Sequence, residues 1–143
     1  MAQTYSTQLA GIDSVPAVKA SATDGYHARL KRFRATVNLA AQASGDTIVL
    51  ADVPAGFAFA YGVITASTSL GTSTLAVGPA SSANKYRGVT TFTAVDTPTM
   101  FGMTPAVGGA VSTASERVLA TIGTAALPAS GLLVIDMYFT SPH

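Results

Sequence analysis

The sequence predicts an all-β chain, a jelly-roll-like β-sandwich of about eight strands preceded by an extended N-terminal arm. Three observations carry that prediction. Alternation of period two recurs between Phe33 and Thr140. Turn signals interrupt it about every 8–12 residues, and no convincing stretch keeps the 3.6-residue period of a helix. The arm takes residues 1–26 and the body residues 27–143.

The first strand reads from Phe33, with Phe33, Ala35, Val37 and Leu39 on one side and Arg34, Thr36, Asn38 and Ala40 on the other. That pattern marks a half-buried strand. Ser44-Gly45-Asp46 ends it, Thr47–Leu50 forms a short second strand, and Pro54-Ala55-Gly56 makes a turn because Pro presets φ and Gly tolerates positive φ. The third strand, Phe57–Thr65, is expected to put Phe57, Phe59, Tyr61 and Val63 on one face. Ala58, Ala60, Gly62 and Ile64 then fall on the other, a small-residue face suited to close packing. Ser73–Val77, Val89–Ala94, Thr99–Phe101 and Arg117–Ile122 follow as strands, with one helical turn across Ala80–Tyr86. Leu132–Thr140 closes the body. Its core face is Leu133, Ile135, Met137 and Phe139; the opposite face, Leu132, Val134, Asp136 and Tyr138, is still mostly apolar and calls for a second partner. One local echo recurs: short strand, Pro-Ala-(Ser)-Gly turn, longer apolar strand, at residues 47–65 and again at 117–140. Two copies suggest paired hairpin-like units.

Charge is scarce. Charged residues are 10% of the 143, against about 25% in an ordinary soluble domain. Seven of the fifteen charges fall within the first 34 residues, where Lys19, Arg29, Lys31, Arg32 and Arg34 outweigh Asp13 and Asp24. A free monomer keeps itself soluble with a mixed charged surface, so a body this neutral reads as an assembly component. The expectation is a homo-oligomer joined through Ala58, Ala60, Ile64, Val134 and Tyr138, a trimer on the resemblance given below.

Residues 1–26 lack periodicity and read as an arm with Tyr5, Leu9, Ile12 and Val15 as anchors on a neighbour. No secretory signal pattern opens the chain, which predicts cytoplasmic synthesis. The 18-residue uncharged window Val118–Ile135 is broken by Pro128 and Gly131, against a membrane span.

Chemistry is sparse as well. There is no cysteine, the two histidines are His27 and His143, and no GxSxG, HExxH, GxxxxGK[ST] or GxGxxG motif occurs. Asp46, Asp52 and Asp96 fit turn chemistry better than acid–base pairing. The expectation is no enzyme, no metal site and no cofactor. His27 reads as an arm residue rather than a pH sensor. The run Arg29, Lys31, Arg32, Arg34 fits a solvated strand face or a protein partner; with only Tyr26 and Phe33 nearby for stacking, direct nucleic-acid binding is not expected. Lys85-Tyr86-Arg87 is either an exposed loop or a polar contact in which Arg87 offers its fork to a carboxylate. Thr90, Thr91, Thr93, Thr97 and Thr99 could offer hydroxyls to a glycan, although Thr is also simply a good strand residue.

Three stretches together resemble a known class: Gly62-Val63-Ile64-Thr65 with Ser69–Gly78; Lys85-Tyr86-Arg87 with Thr91-Phe92-Thr93, Asp96-Thr97-Pro98-Thr99 and Phe101-Gly102; and Glu116-Arg117-Val118-Leu119 leading to Leu127–Leu132. The combination, over about residues 45–139, is similar to small virion structural proteins of tailed bacteriophages that decorate or cement the head. The resemblance implies a jelly-roll body, often trimeric, seated on major capsid protein at the capsid surface. The contact candidates are then Tyr5, Leu9, Ile12, Arg29, Lys31, Arg32, Arg34, Lys85, Tyr86, Arg87, Val134 and Tyr138. The alternative from another class is a glycan- or receptor-binding sandwich of a phage fibre or tail.

Overall fold

In the computed structural model, which describes residues 10, 13–17, 28–109 and 111–141, the elements run β1 (Arg29–Asn38), β2 (Thr47–Val53), β3 (Ala58–Ala66), β4 (Thr74–Gly78), β5 (Arg87–Thr91), β6 (Thr99–Phe101), α1 (Thr104–Val107), β7 (Glu116–Gly123) and β8 (Leu132–Ser141). Two four-stranded antiparallel sheets result, ordered β1-β8-β3-β6 and β2-β7-β4-β5. The pairs nest: β1 with β8, β2 with β7, β3 with β6, β4 with β5. Successive pairs alternate between the sheets, as when one long hairpin is wrapped around a core. That is a jelly roll.

Alternation explains the core. Val37 of β1, Leu133, Ile135, Met137 and Phe139 of β8, Leu75 and Val77 of β4, and Val118, Ala120 and Ile122 of β7 are all buried between the sheets. Ile64, Leu75, Ile122, Leu133, Ile135 and Met137 are each no more than 1% exposed. Burial on that scale is worth about 1.5–3 kcal/mol per large aliphatic side chain.

Four expectations are corrected. The register of β3 against β8 shifts between Phe59 and Tyr61, so a bulge at Ala60 reverses the facing of the rest of the strand. Phe59 points into the core, Tyr61 and Val63 face out, and Ile64 and Ala66 are interior. Ile64 and Ala58 are buried within the chain and therefore do not form an outward small-residue face. Second, the two echoed units are not hairpins. Each carries the chain from one sheet to the other, β2 to β3 and β7 to β8, through turns with Gly56 at φ 91° and Gly131 at φ 123°. Because β2 pairs with β7 and β3 with β8, both antiparallel, the copies lie side by side with pseudo-twofold symmetry.

Third, residues 80–86 form successive turns, in which the Ser82 and Lys85 amides donate to the Pro79 and Ser82 carbonyls. The helical turn lies instead at Thr104–Val107, with Pro105 in its first turn, where a missing N–H costs nothing. Also shifted, β5 begins at Arg87 and ends at Thr91, and Phe92 turns inward to be 5% exposed.

Candidate assembly interface

The outward face of the β1-β8-β3-β6 sheet gathers several of the residues that the sequence singles out. Cross-strand register arranges them in rows. One row is Arg32, Tyr138 and Tyr61; the next is Arg34, Asp136, Val63 and Met100; a third is Thr36, Val134 and Thr65. Leu30 and Leu132 flank these rows at 49% and 41% exposure, and Met100 is 69% exposed.

A paired charge sits in the middle of this face. Arg34 donates from Nε to Asp136 Oδ1 at 2.8 Å and from Nη2 to Oδ2 at 2.7 Å, a fork-to-carboxylate geometry. That hydrogen bonding, and the carboxylate charge with it, holds the Arg34 guanidinium above its ordinary value. Asp136 is 6% exposed although it lies on the outer face. Beside it the rings of Tyr61 and Tyr138 stack with centroids 4.6 Å apart and 15° between planes. The face therefore offers aromatic and aliphatic side chains around a neutralised ion pair, with Arg32 as its unpaired charge among the described residues. Such a surface is suited to burial against protein.

Other candidates fall elsewhere. Arg29 and Lys31 have the inward parity of β1, and Lys31 Nζ lies 5.5 Å over the Phe57 ring at the end of the sandwich. Tyr86 and Arg87, expected in a contact loop, are interior at 3% and 7% exposure. Among the described residues the Arg87 fork meets no carboxylate. It donates to the carbonyls of Leu75, Thr90 and Thr91, the last two at 3.2 Å. Tyr5, Leu9, Ile12 and His27 lie outside the described residues; Val15 is fully exposed.

A cleft of about 380 Å³ opens at the Phe57 end, lined in part by Val53, Phe59, Tyr86, Ala106, Glu116 and Phe139. The Tyr86 hydroxyl donates to Glu116 Oε1, and Lys85 Nζ pairs with Glu116 Oε2 at 2.8 Å. Glu116 is the lone carboxylate among the described lining residues, so the cleft holds no pair of carboxylates among them. Asp52 is forked by Arg117 at 2.7 and 3.0 Å, which lowers its pKa from the usual carboxylate value. Among the described residues no group of three or more His, Asp or Glu could hold a metal ion, and no helix is long and apolar enough to cross a membrane.

Sequence reasoning missed Tyr61, Val63, Met100 and the pairing role of Asp136. The bulge at Ala60 hid the first two, since strict alternation put Tyr61 and Val63 on the same face as Phe59. Asp136 gave a signal, a carboxylate on an otherwise apolar strand face with Arg34 as a possible mate.

No family model matches the chain, and no curated protein matches it. Solved structures do. A chain of the cyanophage Pam1 capsid asymmetric unit aligns at TM-score 0.69 and 17% identity, covering 91% of this chain and 97% of that one. A chain of the capsid of Ralstonia phage GP4 aligns at 0.61 and 16%, covering 80% and 84%. A chain of the acidic stable capsid of Helicobacter pylori bacteriophage KHP30 aligns at 0.59 and 14%, covering 80% and 89%. This protein has the fold of those capsid chains.

Proposed function

We propose that the protein is a structural component of a bacteriophage virion that decorates or cements the capsid, seated through the outward face of the β1-β8-β3-β6 sheet. The observation that carries the reading is the mutual coverage with the cyanophage capsid chain: 97% of that chain is used, so a capsid component there is little more than this one jelly roll. A body poor in charge, with Met100, Leu132 and Leu30 exposed around Tyr61 and Tyr138, supports a role in which surface is buried against other protein. The function is then mechanical: apolar contacts across a shell boundary, worth about 25 cal/mol per Å² buried, resist its separation. A glycan-binding role gains less support. Tyr61 and Tyr138 stack on each other, so each covers one ring face on which a sugar would otherwise lie.

The test is reattachment to shell particles assembled without the protein. Met100→Glu, at the most exposed apolar position of the face, should leave the fold intact and weaken attachment at least about tenfold. Undiminished attachment of this variant would remove the face from consideration. Saturable binding of the isolated protein to a glycan array would favour the fibre or tail reading instead.

A further inference from the structure

Among the described residues the sandwich has four sheet edges: β1 and β6 on one sheet, β2 and β5 on the other. Three of them are short or broken. β6 has three residues. β5 has five, and its register against β4 breaks between Leu75 and Val77. The register of β2 against β7 breaks between Val49 and Ala51. Short and bulged edges resist pairing with another chain.

β1 is different. Its ten residues pair with β8 in unbroken register from Arg29–Ser141 to Asn38–Leu132. The side of its backbone turned away from β8 presents a straight row of N–H and C=O groups ~33 Å long. Instead of a bulge this edge carries charge. Arg29, Lys31, Arg32 and Arg34 all lie in its first six residues, and all are exposed. Asp136 neutralises Arg34; Arg29, Lys31 and Arg32 have no carboxylate partner among the described residues. The remaining stretch, Ala35-Thr36-Val37-Asn38, is neutral. A second copy added along this edge would set two strands with three uncompensated cations each about 4.8 Å apart, and like charges oppose that pairing.

We propose that the free edge of β1 is a docking site for an extended acidic segment of another protein, which adds to the β1-β8-β3-β6 sheet as a fifth strand. Backbone hydrogen bonds along the edge supply the affinity, and Asp or Glu beside Arg29, Lys31 and Arg32 supplies the selectivity. The charge lies at one end of β1, so the segment needs its carboxylates at one end and neutral, β-favouring residues at the other. The edge lies in the plane of the sheet and shares Arg32 with the outward face. Its backbone row, Arg29 and Lys31 lie off that face, so peptide binding here and Met100-dependent attachment there can fail independently.

The experiment uses the full chain and three peptides of about eight residues, strand length. Each alternates Thr and Val and carries three Glu, three Gln or three Lys at one end. The Glu peptide should bind at least about tenfold more tightly than the Gln peptide at low salt and lose that margin at high salt. It should also slow hydrogen exchange of β1 amides. Combining Lys31→Glu with Arg32→Glu should switch preference to the Lys peptide; should that pair fail to fold, Arg29→Gln, Lys31→Gln and Arg32→Gln together should abolish the preference. Equal binding of the Glu and Gln peptides would overturn the proposal. So would β1 edge amides that are already slow to exchange in the protein alone, because the edge would then be covered by its own chain or by a second copy.

Discussion

Arg87 holds the β4–β5 junction from inside. Where the ladder breaks, Leu75 stays opposite Thr90 and Val77 opposite Arg87. The guanidinium fills that gap by donating to the carbonyls of Leu75, Thr90 and Thr91. Among the described residues no anion offsets its charge there, and burial lowers its pKa below the ordinary value. Arg87→Ala should destabilise the fold by about 3 kcal/mol, read from urea unfolding, because three carbonyls lose their donor. Arg87→Lys should recover little, since one ammonium cannot span the fork. Tyr86 gives a pH signature. Burial first, then its hydrogen bond to Glu116 and that carboxylate's charge, raise the phenol well above its ordinary value of 10.0. The folded state thus keeps a proton that the unfolded chain sheds near pH 10. Stability from this group is complete below that pH and declines as pH climbs through the alkaline range. Thermal midpoints between about pH 9 and 11 should fall more steeply for the native protein than for Tyr86→Phe. Neither residue's burial could be read from the sequence. A Lys-Tyr-Arg triplet between a Pro turn and a Gly looks like an exposed loop, and only the carbonyls freed by a distant register break make an interior site for the guanidinium.

Among the elements, β3 separates what alternation can and cannot reveal. The strand's existence follows from its apolar run, but one extra residue at Ala60 exchanges inside and outside for everything after it. Adjacent positions therefore have opposite sensitivities. Ile64→Ala should cost about 3 kcal/mol by leaving a core cavity. Val63→Thr should stay within about 0.5 kcal/mol, the range of surface changes. Denaturation midpoints of the two variants check the facing directly; equal costs would contradict the bulge. In β1 and β8, where the register is unbroken, simple alternation placed Phe33, Ala35, Val37, Leu133, Ile135, Met137 and Phe139 correctly on the core side. The Pro-Ala-Gly echo was also visible in the chain. Its meaning depended on which strands pair over long distances, and that put its two copies at sheet crossings rather than in hairpins.

For the whole molecule, jelly-roll topology was legible because eight short strands with sparse helix leave few ways to bury two apolar sheets. The proposed assembly has one sign in the sequence, a shortage of charge. We predict that the purified protein sediments as an oligomer, a trimer as its resemblance to head-decorating proteins implies, at tens of micromolar, on the order of weak self-association. A monomer at that concentration would count against it. Removing residues 2–25 should leave one cooperative unfolding transition while weakening attachment to particles, because the nested strand pairs all lie within residues 29–141.

The nesting also dictates when the protein can fold. β8 is a central strand of its sheet, flanked by β1 and β3, yet it is the strand of the sandwich that the ribosome delivers last. The Arg34–Asp136 fork joins residues 102 positions apart. Until residue 141 has emerged, β1 and β3 lack the strand that joins them, and half the core has no floor. Folding must therefore wait for nearly the whole body, and non-local pairing of this kind is slow, in the range of milliseconds to seconds. Meanwhile the apolar strands of neighbouring nascent chains are exposed to one another. A surface with so few charges does little to keep those chains apart, so yield on expression should improve with slower synthesis at lower temperature.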